Sequence, residues 1–475
     1  MPGNESKWAT AYARFGYGAR AADRLGGDPR EALDAELSRP GAGLLAAPSL
    51  ASGEQTLVNL YDRVALINQR HARDDALRPL DQAAPWPSSA ALLVPPAGSP
   101  KPPPPPNVSV QTLEREAEAR LAAAKAAPLG YVERLVAFWS NHFCVSASKN
   151  DEVRGLAGAF EREAIRPHVL GRFADMLKAV ERHPAMLHYL DNVQSVGPTS
   201  PAGRNSKRGL NENLAREILE LHTLGVDGGY AQADVTEFAR ALTGWTVVGP
   251  DGRLGPPGAF VFNVNAHEGG ARPVLGRDYE DHGFAQANEL LDDLARSPAT
   301  ARHIARKFAR AFVADDPPPP LVGRLEQTFA TTDGDLGALA RALIADDLAW
   351  DAPATKLRDP WEMLVAATRA LDLDPHPPQP WLHVLSVLGQ PIWAPPGPNG
   401  FSADAATWTS PIGLKARLEA AVTLARRARD AEAPVELMER VLPGASAETR
   451  EAVAHAESRA QAYALLLMAP EFQRR

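Results

Sequence analysis

Apolar residues return every three or four positions along most of this 475-residue chain, and that spacing admits few architectures. Leu57, Leu60, Tyr61, Val64 and Ile67 fall on one face of a helix, as do Leu210, Leu214, Ile218 and Leu221. A chain patterned this way buries stripe against stripe, so helices pack on helices. The spacing predicts helices over 54–72, 110–126, 131–145, 151–165, 171–182, 211–225, 232–244, 284–296, 298–314, 321–331, 335–347, 359–372, 414–429 and 456–468. Asp28-Pro29 opens another, with a capping carboxylate before a first-turn proline. One stretch differs. AFVFNV (Ala259 to Val264) alternates apolar and polar residues, and RPVLGR follows after a Gly-Gly turn, which reads as a small hairpin. The expected fold is mostly α: a large single helical domain with a small β-hairpin (about 259–277) and long ordered loops.

Three segments are expected along the chain. Residues 1–83 form an N-terminal helical part, 84–107 a Pro-rich loop or linker, and 108–475 the main helical domain, which packs with 1–83 as one module. The run Pro102 to Pro106 cannot be helical. A second irregular stretch, Gly389 to Trp408, carries Trp393, Phe401 and Trp408, aromatics that seek burial, so it reads as an ordered functional loop.

Composition narrows the function. Hydrophobic residues at 45% and charged residues at 23% suit a soluble globular chain with a sizeable core. A net charge of −8 argues against a nucleic-acid partner. With Cys144 alone there is no intrachain disulfide and no cysteine zinc site. No apolar run is long enough for a membrane span, and none near the N-terminus resembles a signal peptide. The expected location is therefore cytoplasmic, with export beside a partner as the alternative. No P-loop, dinucleotide fingerprint, haem-attachment pair or GxSxG elbow occurs, and no cofactor is evident. FGYGAR (Phe15 to Arg20) lacks the strand a phosphate loop needs and reads as packing through Phe15 and Tyr17.

The densest polar chemistry lies between Gly209 and Val247. Asn213, Arg216, Glu217 and Glu220 fall beside the stripe of Leu210 and Ile218. Glu217 and Glu220 are three apart, hence neighbours, and like charges so placed need a cation, a metal or a shared proton. The pair suits acid/base work or, with a nearby His, a metal; a solvated polar face, or pairing with an Arg of a neighbouring helix, is the commoner use of such a helix. Gly225 and Gly228-Gly229 then turn the chain into a second, antiparallel helix.

NENLAREILELHTLGVDGGYAQADVTEFARALTGW resembles the signature of the bacterial domain-of-unknown-function 1800 family. FWSNHF, RPHVLGRFADMLKAVERHPAMLHYLDN, HEGGARPVLGR, PATARHIARKFARAFVADDPPP, KLRDPWEMLVAATRAL, LGQPIWAPPGPNGF and LLLMAPEFQ match in order, from about Trp8 onward. The resemblance implies one large helix-rich module with no assigned reaction. It also implies a partner: a sulfatase-like protein of the domain-of-unknown-function 1501 family. Three departures stand out. Glu268 replaces the family's Asp after His267, Arg272 replaces a Lys, and Ala231 stands where a capping Thr or Ser is usual.

Beyond that helix, His142 closes an aromatic segment, Asp191-Asn192 ends another helix, and His267 sits in a loop after a strand. As an enzyme of hydrolase type, the chain would use Glu217, Glu220, His142 and Asp191 as catalytic groups. Asn141, Asn192, Asn211, Asn213, Arg216 and His267 would bind a polar, carbohydrate-like substrate, with Trp245 and Trp393 lining the cleft. The competing reading is a non-catalytic partner or maturation factor of the sulfatase-like protein. A metal held by His142, Asp191, Glu217 and His267 is a third reading that no local motif supports, and no metal ligand is assigned.

Overall fold

The computed structural model describes residues 2–20, 23, 26–76, 106–205, 208–428 and 431–475. Most of the Pro-rich loop over 84–107 therefore lies outside the described residues. The expected helices form, and their ends follow capping chemistry. Asp28 accepts from Arg30 N at 2.8 Å ahead of Pro29–Leu37, Asn107 accepts from Ser109 N ahead of Val108–Ala126, and Asn150 accepts from Val153 N ahead of Asp151–Phe160. Ala231 offers no side-chain cap. Instead Asp234, three residues on, takes the Ala231 N–H at 2.7 Å with one oxygen and Leu275 N with the other. Short helices that the spacing did not single out also form, among them Pro184–Tyr189, Gln379–Val387, Pro434–Val441 and Ala447–Ala454.

Among the described residues, three helical segments widen into π turns, at Ala11–Phe15, Glu161–Ile165 and Ile218–His222. The stretch expected as one helix over 211–225 is thus a short α-helix, Asn213–Glu217, that loosens and ends where the Thr223 hydroxyl donates to Ile218 O at 2.6 Å. Single π turns inside helices frequently accompany functional side chains.

The strands pair differently from expectation. β1 (Trp245–Val247) is antiparallel to β2 (Phe260–Phe262), and β3 (Arg272–Val274) to β4 (Arg277–Tyr279). AFVFNV and RPVLGR therefore do not face one another. Leu275 and Gly276 hold φ of 52° and 75°, the two left-handed residues of a tight hairpin turn, so the turn falls there rather than at Gly269-Gly270.

The hydrophobic core runs from Trp8 to Phe472 as one continuous cluster. Its axis is the helix Pro360–Ala370, every residue of which is buried. Lys356–Arg358 lies before it. That segment is clamped by the C-terminal residues: Arg358 N donates to Gln473 O at 2.8 Å, Arg475 N donates to Lys356 O at 2.9 Å, and Leu357 bridges Arg474. Among the described residues, no helix is long and apolar enough to cross a membrane.

Candidate functional site

A cavity of about 120 Å³ opens at the start of that axial helix. One wall is the C-terminal half of Tyr131–His142 with the residues after it, including Phe138, Asn141 and Cys144. A second is the Lys356–Glu362 segment, and a third is the aromatic loop, through Gln390, Trp393 and Phe401. This volume is far above the roughly 10–15 Å³ one water needs. The loop is held over the cavity by paired polar contacts. Asn141 Nδ2 donates to Phe401 O at 2.9 Å, and its Oδ1 accepts from Phe401 N at 2.8 Å. Gly400 passes so close that a Cβ would sit 2.5 Å from Asn141 O, and its φ is 78°. Trp393, at φ 44°, accepts the Ala147 N–H on its carbonyl at 2.7 Å and donates its indole N–H to Glu161 at 3.0 Å. A non-glycine residue in this conformation is strained and persists only where surrounding contacts hold it.

Charge is concentrated at the cavity floor. Asp359 caps the axial helix by accepting from Glu362 N at 2.8 Å, and Glu362 reaches back toward Asp359 N at 3.4 Å. Glu362 also takes Arg134 at 2.7 Å and a two-armed contact from Arg475 at 2.8 Å on each oxygen. Burial alone would raise the Glu362 carboxyl, but the two guanidinium groups outweigh it and hold the pKa down to about 2. Asp359 is pushed the other way, above the usual carboxylate range, first by burial and then by the Glu362 charge. Lys356, its pKa lowered mainly by burial, donates to Asp315 at 2.7 Å and to Ala403 O at 2.6 Å. Arg120 lies between Trp361 and Trp393, 4.3 and 5.3 Å from the ring centroids, and pairs with Glu161 at 3.0 Å. Trp361 donates its indole N–H to the Tyr17 hydroxyl at 3.0 Å. Aromatic faces and fixed charges therefore line one small space.

Of the residues singled out from sequence, Asn141 and Trp393 line this cavity. The polar helix does not. Glu217 is half-buried, with its pKa raised by burial and by Glu220 against the opposing pull of His222 and Arg216. No ion pair or hydrogen bond engages its carboxylate among the described residues. Glu220 accepts from the Tyr230 hydroxyl at 3.3 Å, Arg216 pairs with Glu212 at 3.1 Å, and Asn213 is exposed. Asn211 accepts from Asn213 N at 2.9 Å just ahead of this helix.

His142 is 2% exposed, packed against Phe138 and Phe143, with Nε2 3.1 Å from His222 O. Its pKa lies well below the usual value through burial, with Lys307 and neighbouring imidazoles adding to the effect. Asp191 pairs with Lys149 at 2.6 Å, and Asn192 donates to Trp245 O at 2.9 Å from a buried position. Trp245 is fully buried between Phe260 and Phe284, with no face toward a cleft. His267 is bound by Thr243 O at 3.0 Å, and Asp281 lies 3.7 Å away. Glu268 accepts from Thr199 N and Oγ1 at 2.8 Å, and Arg272 pairs with Glu237 at 3.2 Å. No contact joins His142, Asp191, Glu217 and His267 into one set, and among the described residues no three His, Cys, Asp or Glu side chains are arranged to hold a metal ion.

Two groups escaped sequence reasoning. His222 and the fully buried Glu181 form a dyad, Nδ1 to Oε1 at 2.8 Å, beside Glu217. They lie 41 positions apart, and no local pattern links them. Asp359 and Glu362, by contrast, carry a readable signal, the capping-box spacing Asp-x-x-Glu.

The family model described as protein of unknown function, DUF1800, matches residues 10–474. The chain belongs to the DUF1800 family. No curated protein and no solved structure matches it. Three of the segments that carry the resemblance to DUF1800, FWSNHF, KLRDPWEML and LGQPIWAPPGPNGF, meet at the cavity, although about 250 positions separate the first from the last.

Proposed function

We propose that this protein is an enzyme of hydrolase type whose reaction takes place in the cavity under the aromatic loop, on a small polar substrate of sugar-like form. The observation that carries the reading is the carboxyl pair. Asp359 and Glu362 face one cavity, and their environments push their proton affinities in opposite directions. Asp359, which keeps part of its surface open to the cavity, is the proton donor and acceptor. Glu362 holds Arg134 and Arg475 in place as cations for charge developing on a substrate oxygen. Trp361, Trp393 and Phe401 supply faces for an apolar ring surface. Glu217 and Glu220 have no place in this scheme, because they do not line the cavity.

The test is turnover of nitrophenyl glycosides and esters by the full chain. Asp359→Asn keeps a good helix cap yet removes the titrating proton, so kcat should fall about 100-fold or more with KM little changed. The rate should also decline as pH rises through the raised Asp359 pKa. Full turnover in Asp359→Asn would overturn the reading, and loss of turnover in Glu217→Gln would return the chemistry to the polar helix.

One observation favours a second reading, the partner role. The helix Pro411–Ala425 presents Ile412, Leu414 and Leu418 to solvent at 82, 47 and 51% exposure. Under that reading Leu418→Asp abolishes co-purification with a sulfatase-like partner, and retention of the partner counts against it. We propose a cytoplasmic location, with export in company with such a partner as the alternative.

A further inference from the structure

A second cavity, of about 400 Å³, lies on the other side of the C-terminal clamp. Its lining is unlike that of the first. Among the described residues it carries five arginines, Arg14, Arg358, Arg440, Arg474 and Arg475, against one carboxylate, Glu471. That carboxylate is occupied: its two oxygens accept from Ser446 N at 2.8 Å and from the Thr449 hydroxyl at 3.0 Å. Arg475 is taken up by Glu362, and Arg14 by the carbonyls of Ala349 and Ala352 at 2.6 Å each.

Arg440 pairs with Glu432 and Arg474 is exposed, so among these five it is Arg358 whose side chain is both buried and without a hydrogen-bond partner among the described residues. It is 4% exposed, its Nη1 is buried without a hydrogen-bond partner, and none of its side-chain nitrogens donates to a described residue. Its backbone cannot swing away, because Arg358 N and O are held by Gln473 O and by Arg417 Nη2 at 2.8 and 2.7 Å. Its guanidinium lies 5.1 Å from the Phe472 ring centroid. At Gly18, where φ is 84°, an added Cβ would sit 3.4 Å from Nη1, so the backbone there leaves room for the guanidinium. Burial lowers the Arg358 pKa to about 9, which still leaves the group charged at neutral pH. A buried guanidinium with free N–H groups is costly unless an anion meets it, and its planar fork matches carboxylate and phosphate oxygens.

Most of the remaining wall is apolar, including Ala9, Leu442 and Pro443, with Ser6, Thr10 and Tyr12 as the polar exceptions. From these observations we infer that the cavity is a binding site for a small organic oxyanion, a carboxylate or phosphate carried on an apolar body, with Arg358 as its anchor. The two cavities share Arg475 in their linings, but Arg358 lines only this one.

Isothermal titration of the full chain with hexyl phosphate, hexanoate and inorganic phosphate tests this. At least one hexyl-bearing anion should bind saturably and at least tenfold more tightly than inorganic phosphate, and the tighter of the two identifies the head group. Arg358→Gln should weaken that binding at least tenfold. Arg474→Glu changes an exposed lining residue and so tests the same site without touching the core; it should weaken binding too. The readout is binding alone, so this result is independent of the reaction proposed above. No saturable binding to the wild-type chain, or equal binding by wild type and Arg474→Glu, would overturn the inference, as would inorganic phosphate binding as tightly as the hexyl compounds.

Discussion

Two carboxylate pairs with identical spacing, Asp359/Glu362 and Glu217/Glu220, end in opposite states. Each pair is three residues apart on a helix, so in each the charges are neighbours. The first lies at a helix N-terminus, where free N–H groups and two incoming arginines absorb the charge. The second lies mid-helix. Glu220 turns to Tyr230, and Glu217 is half-buried with no ion pair or hydrogen bond on its carboxylate among the described residues, only the longer-range pull of His222 and Arg216. Spacing within a helix therefore does not decide whether two carboxylates become a working pair. What packs across them does.

The largest test of that contrast is Glu362→Gln. It leaves Arg134 and Arg475 buried without their carboxylate, and unfolding in urea should show a loss of about 3–5 kcal/mol. A loss below about 1 kcal/mol would mean that the floor of the cavity is not the charged keystone described above. Next in size is Glu181→Gln, which replaces the buried carboxylate on His222 Nδ1 by an amide and should cost about 1.5–3 kcal/mol. If it costs nothing, the neighbourhood of Glu217 is merely solvated surface.

Acid titration comes third. Burial holds the His303 pKa down to about 4, so the folded state resists a proton that the unfolded chain accepts near pH 6.5. Its contribution to stability is present above that unfolded value and is lost as pH falls toward about 4. The size is on the order of 1 kcal/mol, discounted because the ring is partly exposed. His303→Gln should flatten that part of the pH–stability curve. The contribution of Glu362 lies lower, disappearing from the usual glutamate range down to about 2, so the two are separable on the pH axis.

The smallest effect is expected at Glu217→Gln, within about 0.5 kcal/mol at neutral pH and of stabilising sign. Burial and Glu220 raise the folded-state pKa, so the ionised form is disfavoured on folding and the native state loses stability as pH rises through that value. The variant should therefore gain on the wild type at pH 7 relative to pH 4. A clear destabilisation at pH 7 would place an unseen cation beside the carboxylate.

Much of this was legible in advance, and the rest was not, for identifiable reasons. Helix positions follow from apolar spacing, and the cap at Asp28 was readable because both partners lie within three residues. The hairpin region was readable as β, but its pairing depended on the turn at Leu275-Gly276, which the conspicuous Gly269-Gly270 disguised. The ordered aromatic loop was foreseen from its tryptophans, and Trp393 does lie against the cavity. The cavity itself was not foreseen, since it draws on Tyr17, Asn141, Asp359 and Arg475, nearly the whole length of the chain.

By itself the sequence determined that this protein is built of amphipathic helices, where they begin, and which families of side chain it has to place. Those properties are local, set by neighbours within one or two turns. Tertiary structure alone decided which carboxylates meet arginines, which imidazole meets Glu181, and which buried arginine has no hydrogen-bond partner for its side chain among the described residues. Those outcomes depend on groups from 41 to 228 positions apart being desolvated together, and the free energy of a buried charge is fixed by what lies across the space from it.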